Sequence, residues 1–386
     1  MVYLITLFLF SISVINFPFL IKYKNDIYSR IIEQFITIIY LLLVIVRPID
    51  IIPDTCTYKE VYDLIQVKNY GFNIIGREYM SKMEYGFVYL MVLFKFLGLN
   101  FYAFTAFISI FSIFCVNKTV RFFYNKSNKE YKLQNYKIRY LYIFGIFMVY
   151  YGLFYNLITI RAMLAIDFLL LMSVALFQKY PFRFIRVTFF FLSAFLIHRM
   201  AILGCFFIFF LNTKKPFITL KSFRNILFLI TILYLFEWKY DFIHSFFITI
   251  FRPFLIFFGY ETYADHVSET GVARFLQIVF WIMNAWSIYY FLFKSYKNTS
   301  IPQTISKILS VYLFGLIIAV FCCKQDGAYR IFDYFLIFSL FLNCLVICNK
   351  IYLYKSVWRK IYFIFSQNLF LLISFRNFAM KFIVGR

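Results

Sequence analysis

Residues 41–63 read LLLVIVRPIDIIPDTCTYKEVYD. The six apolar residues 41–46 end at an arginine, and four acids follow within the next sixteen positions. Such a change is typical of a membrane-spanning helix that ends in a polar loop. The carboxylates of this loop either serve a reaction or are ordinary solvated charges, and the rest of the sequence has to distinguish the two.

The composition is that of an integral membrane protein. Hydrophobic residues make up 63% of the 386 positions, aromatic residues 25% and charged residues only 15%, which lies outside the range of soluble domains. Because about twenty mostly apolar residues cross a bilayer, we predict an all-α polytopic membrane protein with about 12 transmembrane helices, forming a single transmembrane domain over residues 1–386. The predicted spans are 2–21, 31–46, 101–117, 140–155, 162–178, 182–197, 200–211, 225–240, 275–293, 308–323, 331–348 and 361–375.

The net charge of +23 is distributed between the apolar segments. Six basic connectors hold 24 of the 40 Lys and Arg residues and only two acids, so they are predicted to be cytoplasmic. The other connectors carry twelve of the seventeen acids, and 47–100 and 237–274 are predicted to be outer-face loops. This segregation favours membrane lipids as partners and excludes nucleic acid. The basic connectors are 22–30, 118–139, 179–186, 212–224, 294–307 and 349–360.

Two segments conflict with this sidedness. If MEYGFVYLMVLFKFLGLN (83–100) crossed the membrane, the basic loop 118–139 would lie outside. Because Lys95 interrupts its apolar run, we predict an interfacial helix near 84–98 instead. If 182–211 were one span, the basic connector 212–224 would lie outside. We therefore predict two short helices that meet at His198-Arg199.

Cofactor and metal motifs are missing from the sequence. Of the seven cysteines only Cys56 lies in a long polar loop, so the spacing indicates neither a disulfide framework nor a zinc site. The sequence contains no P-loop, dinucleotide-binding glycine motif, HExxH or GxSxG. No cofactor is evident, no residue is predicted to bind a metal, and metal dependence is left open.

Charged side chains gather on the predicted outer face. Each has an ordinary explanation when taken alone: an arginine at a helix end reaches the interface, a histidine packs, and a loop carboxylate is solvated. Several arginines around one membrane-level cavity, however, suit the oxygens of a lipid diphosphate, and a nearby carboxylate or histidine would act as a general base. The candidates are Arg47, Asp50, Asp54, Glu84, Arg161, His198, Arg199, Arg252, Arg274 and Arg330.

Two acids lie inside predicted spans. Asp333 follows Arg330 by three residues, the spacing of an ion pair on one helix face. Asp167 has no partner that the sequence identifies.

Six short motifs follow one another between residues 47 and 334. They read RPIDIIPDTCTY (47–58), EYGF (84–87), LGLN (97–100), IRAMLA (160–165), LIHRMA (196–201) and RIFDY (330–334). In order and approximate spacing they resemble the motifs of the EpsG-like and Wzy-type polysaccharide polymerases of bacterial inner membranes. The chain departs from that pattern at Ala162, where the family has Gln, and at Met200, where it has Ser.

The resemblance implies a glycosyltransferase that polymerises an O-antigen, capsule or exopolysaccharide at the outer face of the bacterial cytoplasmic membrane. It would transfer a growing glycan from undecaprenyl diphosphate to a lipid-linked oligosaccharide repeat unit, and a chain-length regulator would be a further partner. Arg161 and Arg330 would bind diphosphates, and Asp54, Glu84 or His198 would deprotonate the acceptor hydroxyl. The predicted substrate-binding residues are Arg47, Tyr58, Arg199, Arg252, Arg274 and Tyr334.

Two alternatives stay open at this point. A looser likeness to membrane-embedded glycosyltransferases of the GT-C class, in which an interfacial helix follows an outer-loop acid, favours a single sugar addition from a polyprenyl phosphate. A flippase for lipid-linked oligosaccharides would be expected to show an internal repeat and charges open to both faces. The sequence has no convincing repeat, and its candidate charges lie on one predicted face.

Overall fold

The computed structural model describes residues 2–20, 26–49, 53–68, 71–74, 83–131, 139–153, 155–178, 181–213, 218–240, 249, 253, 272–296, 300–321, 329–348 and 357–384. Over these residues the regular secondary structure is helical apart from one two-stranded hairpin, which confirms the all-α class. The chain forms two compact units, each considered by itself below. That the whole chain is one transmembrane domain stays a prediction.

The first unit comprises Met1–Thr119, Arg139–Ala201 and Gln367–Arg386. Its elements begin with helices α1 (Val2–Leu20), α2 (Asp26–Ile45) and α3 (Pro53–Leu64), the hairpin strands β1 (Ile65–Lys68) and β2 (Gly71–Ile74), and helix α4 (Tyr85–Phe96). They continue with α5 (Phe101–Tyr131), which extends beyond the unit, α6 (Tyr140–Phe147) with a π-helical turn at Met148–Gly152, α7 (Ile160–Phe177) and α8 (Arg183–Ile197). Helices α7 and α8 pack against each other, and α4 packs on α8.

The second unit comprises Val120–Ile138 and Ile202–Ser366. After the 3-10 turn Arg199–Leu203 come α9 (Gly204–Asn212), α10 (Leu220–Tyr240), α11 (Val272–Tyr296), α12 (Gln303–Phe321), α13 (Tyr329–Leu336), α14 (Ser339–Cys348) and α15 (Val357–Val384), whose residues from Gln367 onward belong to the first unit. Helix α12 packs on α13. The two helices are close at Gly315, where an added Cβ would lie 2.6 Å from the Phe335 Cβ.

Within the described residues, three helices are long and apolar enough to cross a membrane. They cover Phe101–Glu130, Ile160–Phe177 and Gln303–Phe321. Shorter apolar helices accompany them, among them Tyr85–Phe96 and Tyr140–Gly152. The protein is therefore a helical membrane protein, and the number of about 12 spans stays a prediction.

Both predicted interruptions coincide with breaks in the helices. The chain leaves α8 at Ile197, passes through a 3-10 turn and re-enters a helix at Gly204, which confirms the split at His198-Arg199. Helix α4 has only 12 residues, or about 18 Å, which is well short of the roughly 30 Å hydrocarbon layer. Its location in the interface stays a prediction.

The predicted loop 118–139 is wrong in its first part, since α5 continues to Tyr131. Tertiary contacts hold this extension helical. The Phe123 ring packs on Phe341 at 5.7 Å between centroids, and the Glu130 carboxylate accepts a hydrogen bond of 3.0 Å from the Thr304 backbone N–H. The predicted span 331–348 is likewise divided, by a turn at residues 337–338 between α13 and α14.

The acid for which the sequence offered no partner is buried between α5 and α7. Asp167 is fully buried and accepts a hydrogen bond from the Ser112 hydroxyl. This contact gives Asp167 a role in holding the two helices together.

Candidate functional site

A non-helical backbone segment, Tyr155–Thr159, leads into α7. The carbonyls of residues 156–158 precede the first hydrogen bond of the helix and would be costly to leave unpaired. Side chains from the loop after α2 and from α3 supply the donors: Arg47 Nη1 donates to Asn156 O (2.8 Å), and Thr55 Oγ1 to Leu157 O and Ile158 O (3.0 and 3.2 Å). Just before the segment, Tyr40 Oη of α2 donates to Gly152 O (3.1 Å) at the end of the π-helical turn.

Arg47 is buried, with only 2% of its surface exposed. Burial lowers the pKa of its guanidinium to about 10, while the nearby hydroxyls of Tyr3, Tyr40 and Tyr102 act in the opposite direction. Its Nε and Nη2 atoms have no hydrogen-bond partner in the described part of the chain. The predicted substrate-binding arginine of the opening motif is thus a buried cation that also supports the backbone at Asn156.

The ion pair between Arg161 and Glu84 is the centre of the site. Arg161 Nη1 donates to Glu84 Oε2 at 2.7 Å, and the two side chains are 12% and 9% exposed. The other carboxylate oxygen, Oε1, accepts a hydrogen bond of 3.0 Å from the backbone N–H of Arg199. Glu84 precedes α4 and Arg161 lies in the first turn of α7. One carboxylate therefore links α4, α7 and the break after α8.

Helix α3 contributes an aromatic ring to the same place and carries Asp54 one turn earlier. The Tyr58 ring centroid lies 5.8 Å from Arg161 Cζ, and a further 5.3 Å separates it from the Phe87 ring centroid. Asp54 is half-buried in the first turn of α3. Because it precedes Tyr58 by four residues, Asp54 lies on the same helix face.

His198 lies at the break in the helix, but it is buried. It ends α8 with extended backbone angles, is 1% exposed and donates its backbone N–H to Ala194 O at 2.9 Å. Arg199, in contrast, is exposed. The structure thus brings Tyr58, Glu84, Arg161 and the Arg199 backbone together, with His198 in the adjacent core.

The glycine of EYGF permits close packing of two helices. A Cβ at Gly86 would lie 2.6 Å from the Leu196 carbonyl oxygen and 2.8 Å from the Leu196 Cβ. Only a residue without a side chain allows this approach of α4 to α8. The motif LIHRMA begins with that same leucine, so the two motifs meet in the fold.

The motif LGLN forms the turn between α4 and α5. Gly98 has φ of +71°, and the Leu99 N–H bonds to Phe94 O at 3.0 Å, as at many helix C-termini. Asn100 Oδ1 then accepts a hydrogen bond of 2.9 Å from the Ala103 N–H and caps α5. Gly98 and Asn100 have structural roles that keep α4 a separate short helix.

The remaining predicted residues belong to less completely described parts. Asp50 and Arg252 lie outside the described residues, and Arg274 and Arg330 lie in α11 and α13 with side chains that are not described. Tyr334 is fully buried in α13, and Asp333 is 4% exposed. The pairing of Asp333 with Arg330 and the substrate contacts of Arg252, Arg274, Arg330 and Tyr334 stay predictions.

Three residues that support the site were not identified from the sequence. Thr55 lies inside the first motif, between Asp54 and Tyr58, so its place in that motif was an available signal. Tyr40 and Asn156 carry no such signal. Tyrosines within apolar runs and asparagines in loops are common, so their residue types do not mark a site. They bond to each other, with Asn156 Nδ2 donating to Tyr40 Oη at 3.1 Å.

The fold and the site define a class of helical membrane protein whose charged cluster lies where two apolar helices begin. The model of the EpsG family matches residues 33–383. The chain therefore belongs to the EpsG family, and this membership implies a polysaccharide polymerase-type function. Comparisons with curated proteins and with solved structures give no match.

Proposed function

We propose that the protein is a glycosyltransferase that polymerises lipid-linked oligosaccharides at the outer face of the bacterial cytoplasmic membrane, through which it passes many times. The observation that carries this proposal is the placement of Arg161 in the first turn of α7, against Glu84 and over the Tyr58 ring. An arginine fork suits diphosphate oxygens, and the aromatic ring beside it suits a sugar.

The reaction needs an acceptor hydroxyl, a base and a stabilised leaving group. The acceptor oxygen forms a bond to the anomeric carbon of the growing glycan while the bond from that carbon to the undecaprenyl diphosphate oxygen breaks. The acceptor proton passes to a carboxylate, and Arg161 stabilises the negative charge that develops on the departing diphosphate.

Among the three candidate bases we assign the role to Asp54. Both oxygens of Glu84 already accept hydrogen bonds, from Arg161 and from the Arg199 N–H, which suits a residue that positions Arg161. His198 is packed in the core, and its backbone N–H donates to Ala194 O, which suits a packing role. Asp54 is half-buried and shares a helix face with Tyr58.

Reconstitution with purified lipid-linked repeat units and separation of the products on a gel tests the proposal. A ladder of lengths is expected. A single added sugar would instead indicate a GT-C-type transferase that uses a polyprenyl phosphate, and transport of the unextended lipid would indicate a flippase. A chain-length regulator added to the same assay is expected to narrow the ladder without being required for it.

A further inference from the structure

The amino terminus of α7 lacks the cap that such a helix usually has. Thr159 occupies the capping position, but its side chain makes no capping bond, and its backbone angles of φ −99° and ψ 53° differ from the extended conformation of a capping residue. The backbone amides of the first turn have no partner within their own helix. An uncapped helix of 18 residues presents these amides and the positive end of its dipole to a neighbouring anion.

Unpaired donors are buried beside this terminus. The Thr159 hydroxyl has no hydrogen-bond partner among the described residues, although the residue is only 1% exposed. Arg47 reaches Asn156 O, three residues earlier in the chain, and its Nε and Nη2 atoms are also buried without a described partner. Burying such groups unpaired is unfavourable. A ligand that accepts hydrogen bonds from them would therefore satisfy donors that the described residues leave unpaired.

The charges point to an anion. Arg47 forms no ion pair with a described carboxylate, since the groups that act on its charge are the tyrosine hydroxyls of Tyr3, Tyr40 and Tyr102. Arg161, in the first turn of α7, adds a second guanidinium that is balanced by Glu84. Every unpaired nitrogen or hydroxyl named here can donate a hydrogen bond, and phosphate oxygens accept such bonds.

We propose that the amino terminus of α7 is a phosphate subsite in which the Thr159 hydroxyl, the first-turn amides, Arg161 and Arg47 bind one phosphate of a diphosphate. This assignment rests on the proposed function for the identity of the ligand, a prenyl diphosphate. It adds Thr159 as a substrate-binding residue and gives the buried Arg47 a ligand as well as a supporting role.

Binding of inorganic pyrophosphate to the full chain in detergent, measured by calorimetry, tests the subsite. Thr159→Val keeps the shape of the side chain and removes its donor, so pyrophosphate affinity is expected to fall by about tenfold, as for a lost hydrogen bond to a charged group. Thr159→Ser is expected to restore it. Should the valine variant fold poorly, Thr159→Ala provides the same loss of the donor.

Thr119→Val is the matched control. Thr119 is also a buried threonine whose hydroxyl has no described partner, and it belongs to the same compact unit. It lies 18 residues along α5 from Phe101, about 27 Å from the start of that helix. Its valine variant is expected to bind pyrophosphate as the wild type does.

The outcomes separate the subsite from the polymerase proposal. Wild-type affinity in Thr159→Val, or no pyrophosphate binding by the wild type, overturns the subsite even where a glycan ladder forms. Thr159-dependent binding without a ladder supports the subsite and contradicts the polymerase. Competition by farnesyl diphosphate at lower concentration than pyrophosphate supports a lipid diphosphate ligand, and equal binding of sulfate would show an unselective anion site and contradict the assignment.

Discussion

Arg161 and Glu84 form an ion pair of 2.7 Å although they are 77 positions apart in the chain. The pair joins the start of α7 to the residue that precedes α4, and its carboxylate also holds the backbone N–H of Arg199. Three motifs that look independent in the sequence, EYGF, IRAMLA and LIHRMA, are therefore connected by one side chain.

Glu84→Ala is expected to destabilise the protein by about 3 kcal/mol, because it leaves Arg161 without its partner in a mostly buried place. Unfolding in mixed micelles by SDS titration measures this. Glu60→Ala is the matched control, since Glu60 is an exposed carboxylate on α3, and a change of roughly 0.5 kcal/mol or less is expected for it. Equal effects of the two substitutions would show that the ion pair contributes nothing specific.

Gly86→Ala is expected to reduce both stability and activity without changing any charge. The added Cβ would lie 2.6 Å from the Leu196 carbonyl oxygen, so α4 must move away from α8 and carry Glu84 with it. Gly145→Ala serves as the control, because a Cβ there would have its nearest contact at an ordinary 3.4 Å, to Val14 O. Activity of Gly86→Ala equal to that of Gly145→Ala would contradict the close packing of α4 on α8.

The sequence predicted the helical class, the break at His198-Arg199 and a short helix near 84–98, because these depend on apolar runs and on where charges interrupt them. It also identified Glu84 and Arg161, since charged residues are conspicuous beside apolar spans. It did not predict that Glu84 and Arg161 pair, because that contact depends on how α4 lies on α8, which Gly86 permits.

The side-chain hydrogen bonds that support the non-helical segment Tyr155–Thr159 could not be predicted from the sequence, for a different reason. Thr55 in the segment's support, and Tyr40 at the turn before it, bond to backbone carbonyls. Any residue supplies a carbonyl, so no pattern of side chains reveals the partner. The continuation of α5 to Tyr131 was missed because a polar, basic composition indicates a loop, whereas contacts such as Phe123 with Phe341 keep it helical.

Thr55→Val is expected to destabilise the protein by about 1–3 kcal/mol, because two buried carbonyls, Leu157 O and Ile158 O, lose their donor. Since this segment leads directly into α7, activity is expected to fall as well, and Thr55→Ser is expected to recover both. The same titration with a polymerisation assay measures the effect. Stability and product lengths unchanged in Thr55→Val would show that the hydroxyl does not support the segment.

The basic extension of α5 provides a test of the predicted topology. Asn128→Cys, in a background without other cysteines, is expected to resist a membrane-impermeant thiol reagent in intact cells and to react after the membrane is opened, because the basic residues around it predict a cytoplasmic location. Labelling in intact cells would place this extension outside and reverse the predicted sidedness of the preceding segments.

Reconstitution of Arg161→Ala with purified lipid-linked repeat units tests most directly the claim that Arg161 stabilises the departing diphosphate. Arg186→Ala is the control, since Arg186 is an exposed arginine in α8. The wild type and Arg186→Ala are expected to give a ladder of product lengths, and Arg161→Ala, at equal amounts of folded protein, only the unextended repeat unit. A ladder of wild-type length from Arg161→Ala would contradict the account.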